Sequence, residues 1–433
     1  MDQKACDFEN KEGHPGRGVD TGTFASLRIR DFRFLLSSTL LTNAALWIQQ
    51  ITLNWLIYDI TSSGTMLGTI NLVRSLAATG SMPVAGFLID RMNRRKLMLM
   101  TNTWLFSITF VLALLLLFNL SRVWHLFIFA FLGGMAQSLD QALRQVAVFD
   151  LAPRPLIPNA VALVQTGWSL MRSFGPGLGG FLILWFGPGG NFLIQSGAYV
   201  LIAIAILRIR FPIQSTTAPS SDIKNIFAGI RYVAKRPVTR TFALMGSVLP
   251  LFTIPIFVTL LPIYAVEIFS DTSGRALGLL MASVGAGGIF GGIATASLGR
   301  VERRGLVQLA SLLLLNLPMI GFALTQSLWT ALPFLALTGF FEMIFLTTNQ
   351  TLLQLSIPDD LRGRVTSMVN LNPVLFPLGG MIAGIGSDLF GGPMVITIIL
   401  ASISAGIAVF VFFGSGIVRD YRLSEAIRQS SKK

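Results

Sequence analysis

The sequence is poor in charged residues. Only 12% of its 433 residues are Asp, Glu, Lys or Arg, while 53% are hydrophobic, and soluble domains carry roughly 25% charged residues. A chain of this composition cannot cover a soluble globular surface in the usual way. The composition therefore excludes an ordinary soluble domain and predicts a protein that lies in a lipid bilayer.

Residues that bind metals or form disulfides are also scarce. Cys6 is the only cysteine, and His14 and His125 are the only histidines, so neither a disulfide framework nor a conventional metal centre can form within one chain. The sequence lacks the Gly-x-x-x-x-Gly-Lys-Ser/Thr loop that holds nucleotide phosphates, and no pair of nucleophile and base stands out. We expect no cofactor, no metal ion and no enzyme activity.

The amino-terminal segment lacks the apolar core of a cleavable signal peptide. It is polar and contains several Gly and Pro residues, a composition that favours disorder. We therefore expect residues 1–25 to form a disordered cytoplasmic tail. Residues 417–433 are expected to form a second cytoplasmic tail after the folded core.

Long apolar runs are abundant. A helix needs about 20 predominantly apolar residues to cross a bilayer, and the chain contains twelve such runs, separated by short polar turns. The runs are 32–58, 65–88, 97–118, 124–147, 158–185, 191–208, 241–264, 275–298, 306–325, 329–352, 366–388 and 393–416. The largest polar interruption, 209–240, divides them into two groups of six. We predict an all-α membrane protein with one six-helix bundle over 26–208 and a second over 241–416.

The positive charges follow the loops on one side of the predicted bundles. With both termini placed inside, 28 of the 33 Lys and Arg residues fall on that side and 2 on the other. Cytoplasmic loops carry such an excess, so the net charge of +13 requires no nucleic-acid partner. The loop 209–240 is cytoplasmic in this arrangement, and its segment 223–236 has the apolar periodicity of a helix at the membrane interface.

The two groups of six runs repeat short features in the same order. Ser63-Gly64 opens the second run, and Ser273-Gly274 opens the eighth run, 210 residues later. Repeats of this kind build transporters whose substrate site lies near the membrane midplane, between two halves. The symmetry therefore predicts a central site rather than one in a loop.

A short turn between the second and third runs is rich in charge. It contains Gly86, Asp90, Arg91, Arg94 and Arg95. These residues match the loop signature of the major facilitator superfamily, which the chain resembles, with Asn93 in place of the usual Gly. Asn tolerates a left-handed backbone better than most residues. The resemblance implies a twelve-helix transporter in which Asp90, held by Arg91 and Arg94, latches the halves at the positive N-terminal end of the eleventh helix. Charges that only fix the topology are the alternative.

A glycine-rich motif lies in the fifth run. Gly175, Pro176, Gly179 and Gly180 resemble the antiporter signature Gly-Pro-x-x-Gly-Gly of exporters in the same superfamily. Glycines let helix backbones approach closely, and a proline removes one helical hydrogen bond. Ordinary close packing is the alternative explanation for this motif.

From about residue 26 to residue 416 the chain is similar to one subgroup of the superfamily, the enterobactin exporters and macrolide efflux proteins. The residues that support this resemblance are Leu27-Arg28 and Asp31-Phe32-Arg33 before the first run, Gly229-Ile230-Arg231-Tyr232 in the central loop, and the segment from Pro358 to Val365 after the tenth run.

Ionisable residues inside apolar runs are costly unless they face a cavity or a partner. By position, Glu342, Arg74 and Arg172 lie near the midplane, and Asp140 and Arg144 share a helix face at i,i+4 spacing. We therefore expect Arg74, Arg144 and Arg172 to be cavity charges. Transport against a gradient needs an acid whose proton affinity changes with the side to which the cavity opens. Glu342 is the first candidate for this proton carrier and Asp140 the second. A fixed counter-ion role for Glu342, and a permanent ion pair between Asp140 and Arg144, are the alternatives.

Polar side chains on runs one, four and ten complete the candidate site, because the resemblance places runs one, four, seven and ten around the cavity and runs three, six, nine and twelve toward lipid. The candidates are Asn43, Gln49, Gln50, Asn54, Gln137 and Asn349, and plain helix packing is the alternative for each. The resemblance implies a monomeric secondary transporter of the cytoplasmic (inner) membrane that exports an amphipathic small molecule, such as a siderophore or a drug, in exchange for protons. Siderophore import, and a membrane receptor or scaffold that transports nothing, remain open.

Overall fold

The computed structural model describes residues 25–211, 235–271, 274–297, 302–357, 372–414 and 416–419. Within these ranges the chain is helical and contains no strand. The predicted amino-terminal and carboxy-terminal tails, and nearly all of the predicted interfacial helix over 223–236, lie outside the described residues.

The described ranges contain twelve long helices that follow the predicted runs. They are α1 (Arg30–Thr61), α2 (Gly64–Arg91), α3 (Arg94–Leu117), α4 (Val123–Leu151), α5 (157–186), α6 (188–208), α7 (Pro237–Ile268), α8 (Arg275–Ser297), α9 (Arg304–Ala323), α10 (Leu328–Leu355), α11 (Asn372–Leu389) and α12 (Pro393–Gly414). Nine helices of the described chain are long and apolar enough to cross a membrane, and Leu375–Leu389 is a shorter apolar helix. The prediction of an all-α membrane protein with two six-helix halves is confirmed.

The connection between α5 and α6 is shorter than the sequence indicates. The apolar pattern predicts a turn between residues 185 and 191, but the segment Ile157–Arg208 leaves helical geometry only at Gly187, where φ is +65°. Glycine adopts this backbone conformation at little steric cost. Pro188 then fits the first turn of α6, where its missing N–H removes no helical hydrogen bond.

Helix α7 is irregular. It contains three π-helical turns, at Leu249–Thr253, Ile256–Leu260 and Tyr264–Ile268. Pro250, Pro255 and Pro262 each lack the N–H that would continue an α-helical ladder. Wide turns of this type are frequent at functional sites, and α7 lies at the interface between the two halves.

Two pairs of helices make the most extensive contact between the halves: α2 packs against α11, and α5 packs against α8. Glycines make these contacts possible. A Cβ at Gly64 would lie 2.7 Å from the carbonyl oxygen of Gly384, and a Cβ at Gly180 would overlap the backbone of Gly278. Gly64 and Gly274, the glycines of the repeated Ser-Gly dipeptide, stand at the starts of α2 and α8, which each contact the opposite half.

The bundle has two unlike ends. We call the end that carries the turn 91–96 the basic end, and the end that carries the turn between α1 and α2 the distal end. Near the distal end, Asn54 Nδ2 donates a hydrogen bond to the carbonyl oxygen of Val258 at 2.9 Å, and the Tyr58 hydroxyl donates to Glu267. Both bonds connect α1 to α7, so the halves are held together on this side.

We expect Gly180→Val to destabilise the contact between α5 and α8. The valine side chain would overlap the backbone of Gly278, and overpacking of this kind costs about 1 to 3 kcal/mol. The measurement is the melting temperature of the purified protein. Gly197→Val is the matched control, because a Cβ at Gly197 meets nothing within 4 Å. Equal melting temperatures for the two variants would contradict this account of the interface.

Candidate functional site

A cavity of about 430 Å³ lies between the two halves. Its described lining residues come from α1, α2, α4 and α5 of the first half and from α7, α8, α10 and α11 of the second, and none comes from α3, α6, α9 or α12. The sequence analysis placed α1, α4, α7 and α10 around the cavity and expected charged residues of α2 and α5 to face it. The structure adds α8 and α11, because these helices pack against α5 and α2 at the contact between the halves and border the same space.

The two walls of the cavity differ in chemistry. The first half contributes four amides, one guanidinium and two indoles: Asn43, Gln50, Gln137, Gln141, Arg74, Trp47 and Trp168. The second half contributes mainly apolar side chains, among them Leu249, Phe257, Met281, Leu346 and Phe376, together with glycines and Glu342. Among the described lining residues, the wall of the first half is therefore mainly polar. The wall of the second half is mainly apolar and contains one carboxyl group, that of Glu342.

Arg74 of α2 is a cavity residue with an unusual environment. Helix α4 packs closely against the backbone at this position, since a Cβ at Gly134 would overlap the carbonyl oxygen of Arg74. The Arg74 side chain is half-buried in the cavity wall, and no hydrogen bond or ion pair engages it in the part of the chain that is described. A guanidinium in a low-dielectric site attracts carboxylate and other hydrogen-bond acceptors strongly.

Glu342 of α10 lies in the wall of the same cavity and is 6% exposed. The structure thus brings together two of the three charges that the sequence analysis placed near the midplane, Arg74 and Glu342. Arg172 lies on α5, and its side chain is outside the described part of the structure. With both groups ionised, Arg74 and Glu342 give their walls a net charge of zero.

A chain of buried amides leads from the cavity to α7. Gln50 Nε2 donates to Asn71 Oδ1 at 2.7 Å, Asn71 Nδ2 donates to Asn54 Oδ1 at 3.2 Å, and Asn54 donates to the carbonyl oxygen of Val258. Asn54 therefore connects the halves and does not line the cavity as predicted. The sequence analysis missed Asn71, although its spacing of three residues from Arg74 puts both on one face of α2.

Two further predicted cavity residues point elsewhere. Gln49 accepts a hydrogen bond from Gln195 Nε2 of α6 at 3.1 Å, inside the first half. Successive residues of a helix are turned by about 100°, so Gln49 and its neighbour Gln50 cannot face the same wall. Asn349 accepts from Gln308 Nε2 of α9 at 2.5 Å. Both amides bond to neighbouring helices, and neither is in the cavity lining.

Asp140 and Arg144 form a buried ion pair on α4. Arg144 Nε donates to Asp140 Oδ2 at 2.6 Å, and Arg144 Nη1 donates to Ser38 Oγ of α1 at 2.9 Å. The two residues are 3% and 6% exposed, and neither lines the cavity. This is the geometry of the fixed ion pair that the i,i+4 spacing indicated as the alternative to a proton carrier.

The charged turn at the basic end ties α3 to its own half. Arg94 forms an ion pair with Asp150 of α4, and Arg95 donates to the carbonyl oxygen of Leu207 of α6. The sequence analysis missed both partners, because they lie more than 50 residues away in the chain. Gly86 faces open space: a Cβ there would meet nothing within 4 Å.

Asp90 in this turn is exposed. Arg91 and Arg94 were predicted to hold its carboxylate, but the Arg91 guanidinium lies 4.1 Å from the ring centroid of Phe87. Arg94 forms its ion pair with Asp150. Burial lowers the pKa of Arg94, and the nearby charge of Asp90 opposes that shift. The predicted partner, the start of the eleventh run at 366–371, lies outside the described residues, so the latch stays a prediction.

Asn93 has a different role from the one its sequence suggests. Its φ is −59°, which is not left-handed, and its side-chain oxygen accepts a hydrogen bond from the backbone N–H of Lys96 at 3.3 Å. Asn93 is therefore the N-cap of α3. An Asn at this position supplies a cap that the usual Gly lacks.

The glycine motif of α5 lies between α1 and α8. A Cβ at Gly175 would lie 2.6 Å from Cβ of Trp47, and a Cβ at Gly179 would lie 3.2 Å from Cα of Ile48. Gly180 contacts α8, as described above, and the side chain of Pro176 is outside the described part. The motif is thus a packing surface toward both halves, and its role in antiport stays a prediction.

Residues 21–428 match the family of transmembrane secretion effectors in the major facilitator superfamily. The chain belongs to this family. Its fold and family are those of membrane transporters, which are not enzymes, and a multi-pass membrane protein with a small-molecule substrate follows from them.

Curated relatives of this secretion effector are transporters. It is 26% identical to the staphyloferrin A transporter of Staphylococcus aureus over 88% of this chain and 95% of that protein. It is 24% identical to the multidrug efflux pump Tap of Mycolicibacterium fortuitum over 82% and 89%. It is 26% identical to the enterobactin exporter EntS of Salmonella choleraesuis over 71% and 72%. The resemblance to siderophore and drug exporters is confirmed.

Solved structures share the fold. A bacterial homologue of the human lysosomal transporter Spinster, in an inward-facing and unoccupied conformation, superimposes with a TM-score of 0.68 at 15% identity, over 93% of this chain and 98% of that one. At this identity the likeness establishes the fold alone.

We expect Asp140→Leu to lower the free energy of unfolding by about 3 to 5 kcal/mol, because it leaves Arg144 as an uncompensated buried cation. Adding Arg144→Met removes that cation, so the double variant should unfold close to the wild type. The measurement is thermal unfolding of the purified protein. Equal destabilisation in the single and double variants would contradict a fixed ion pair.

Proposed function

We propose that this secretion effector is a proton-coupled antiporter that exports an amphipathic small molecule across the cytoplasmic membrane. The observation that carries the proposal is the cavity between two halves that meet at the distal end, with Arg74 and Glu342 in its walls. Alternating access needs a chamber of this kind, which opens to one side of the membrane at a time.

The excess of Lys and Arg on one side supports a cytoplasmic basic end, with both termini inside. In that orientation the halves are in contact on the outer side, and the cavity receives cargo from the cytoplasm, as export requires. The bundles over 26–208 and 241–416 would be the two moving bodies of a monomeric transporter. The cargo would leave when they separate at the distal end.

The chemistry of the cavity supports an amphipathic cargo. The amides and Arg74 of the first half offer hydrogen bonds, whereas Leu249, Phe257 and Phe376 of the second half offer apolar contact. A volume of about 430 Å³ suits one small molecule, since such sites measure roughly 300 to 1,000 Å³. The names of the relatives, a multidrug efflux pump and an enterobactin exporter, support the same class of cargo.

Glu342 is the proposed proton carrier. Protonation of Glu342 would change the net charge contributed by Glu342 and Arg74 from zero to +1, and a change of one charge in a low-dielectric chamber alters the affinity for cargo strongly. Asp140 is the weaker candidate, because its ion pair with Arg144 lies away from the cavity. A receptor or scaffold would need no ionisable group in such a chamber.

We expect Glu342→Gln to retain exchange of labelled for unlabelled cargo but to lose accumulation driven by a pH gradient, because glutamine cannot release a proton. The measurement is uptake into everted membrane vesicles with an acidic lumen, screened with enterobactin, a macrolide and a cationic dye. Asp59→Asn removes an exposed carboxylate and is the matched control. A full pH response in Glu342→Gln would reassign the proton to another residue.

We expect Asp90→Asn to slow transport by roughly tenfold while the protein still inserts into the membrane, because a carboxylate at a helix N-terminus is worth about 1 to 2 kcal/mol in favourable geometry. The measurement is the initial rate of uptake in the same vesicles, normalised to the amount of protein. Lys96→Gln, which removes an exposed cation from the same turn, is the control. Wild-type rates for Asp90→Asn would refute the latch.

A further inference from the structure

The distal end contains a carboxylate at a helix N-terminus, which the sequence analysis did not identify. Asp388, near the end of α11, accepts hydrogen bonds from three groups at the start of α2. The donors are the backbone N–H of Gly64 at 2.7 Å, the backbone N–H of Thr65 at 2.9 Å and Ser63 Oγ at 2.9 Å. The carboxylate therefore lies at the positive end of the α2 dipole and accepts hydrogen bonds from N–H groups that have no partner within the helix.

These three bonds join the halves directly. Asp388 belongs to the second half, and its partners lie 323 to 325 residues earlier, in the first half. Asp388 is itself exposed, so water can replace α2 as its partner when the ends separate. The interaction is therefore suited to forming and breaking during a transport cycle, which a fully buried charge is not.

Glycines beneath Asp388 determine how closely the two helices approach. A Cβ at Gly68 would lie 2.9 Å from the carbonyl oxygen of Gly380, one helical turn below the contact between Gly64 and Gly384. Each helix thus presents two glycines four residues apart, and the backbones touch at both. This contact places the Asp388 carboxylate over the first N–H groups of α2.

The position of Asp388 mirrors that of Asp90. Asp90 is the penultimate residue of α2 (Gly64–Arg91), and Asp388 is the penultimate residue of α11 (Asn372–Leu389). The two helices are antiparallel, since α2 runs from the distal end to the basic end and Asp388, near the end of α11, meets the start of α2. Each helix consequently carries a carboxylate at the end where the other helix begins.

We propose that Asp388 is a positioning residue for transport: it latches the distal end shut by capping α2, in alternation with Asp90 at the basic end. The two latches act in opposite directions, because alternating access opens the chamber at one end at a time. The claim that closure of the distal end matters for transport rests on the proposed function. The geometry of the Asp388 contact is independent of it.

The test measures opening of the distal end without transport. Spin labels are attached at Ile60 and Phe390, which are 44% and 51% exposed, in a protein whose Cys6 is replaced by Ser. Pulsed electron resonance then gives the distribution of distances between the labels in lipid nanodiscs. Asp388→Ala removes both the charge and the acceptors, and Asp388→Asn removes the charge alone.

The expected result is a graded shift. Asp388→Ala increases the ratio of open to closed protein by roughly fivefold to tenfold, as expected for about 1 kcal/mol or slightly more, and Asp388→Asn increases it less. Asp90→Asn shifts the same ratio the opposite way. Asp59→Asn, the matched control at the distal end, leaves it unchanged.

Two results would overturn the proposal. The first is the same distance distribution in Asp388→Ala and Asp59→Asn. The second is a shift in the same direction for Asp388→Ala and Asp90→Asn, which would indicate general loosening rather than opposed latches. Failure of pH-driven uptake in vesicles would overturn the proposed function and leave these distance measurements valid, so the two failures are distinguishable.

Discussion

Direct backbone contact between the two halves is the constraint on which the rest of the structure depends. Gly64 and Gly68 of α2 meet Gly384 and Gly380 of α11 with no space for a side chain between them. In a bilayer no hydrophobic force pulls apolar helices together, so close van der Waals contact between small residues has to hold them. The cavity is the space that remains between the halves beside this contact.

The bilayer interior also lacks water, and this explains which partners the polar side chains of the spans have. A polar group in the hydrocarbon region has to find a partner or face a wet chamber. Gln49 and Asn349 bond to neighbouring helices, and Asp140 pairs with Arg144. Only some polar residues of α1 and α10 therefore line the cavity. The polar residues of the cavity-lining helices outnumber those that could contact a cargo.

Individual residues show which parts of the site could be predicted from the sequence and which could not. The charged turn 91–96 could be predicted as a turn, yet Arg94 pairs with Asp150 and not chiefly with Asp90. Glu342 and Arg74 could be predicted as cavity residues, because a charge near the midplane of an apolar run has few other places to face. The contact of Asp388 with α2 could not be predicted, because a carboxylate at the end of an apolar run is usually a solvated residue at a helix terminus.

The sequence by itself determined the twelve helices, their division into two groups of six and the shared helix face of Asp140 and Arg144. The reason is physical: a bilayer demands about 20 apolar residues for each span, and helix geometry brings i and i+4 together whatever lies outside. Only the tertiary structure decided which side of α1 faces the cavity, which helices touch between the halves, and that Asp388 meets α2. These features depend on the rotation and pairing of helices, which are set by contacts between residues far apart in the chain, from 146 positions for Gln49 and Gln195 to 325 positions for Ser63 and Asp388.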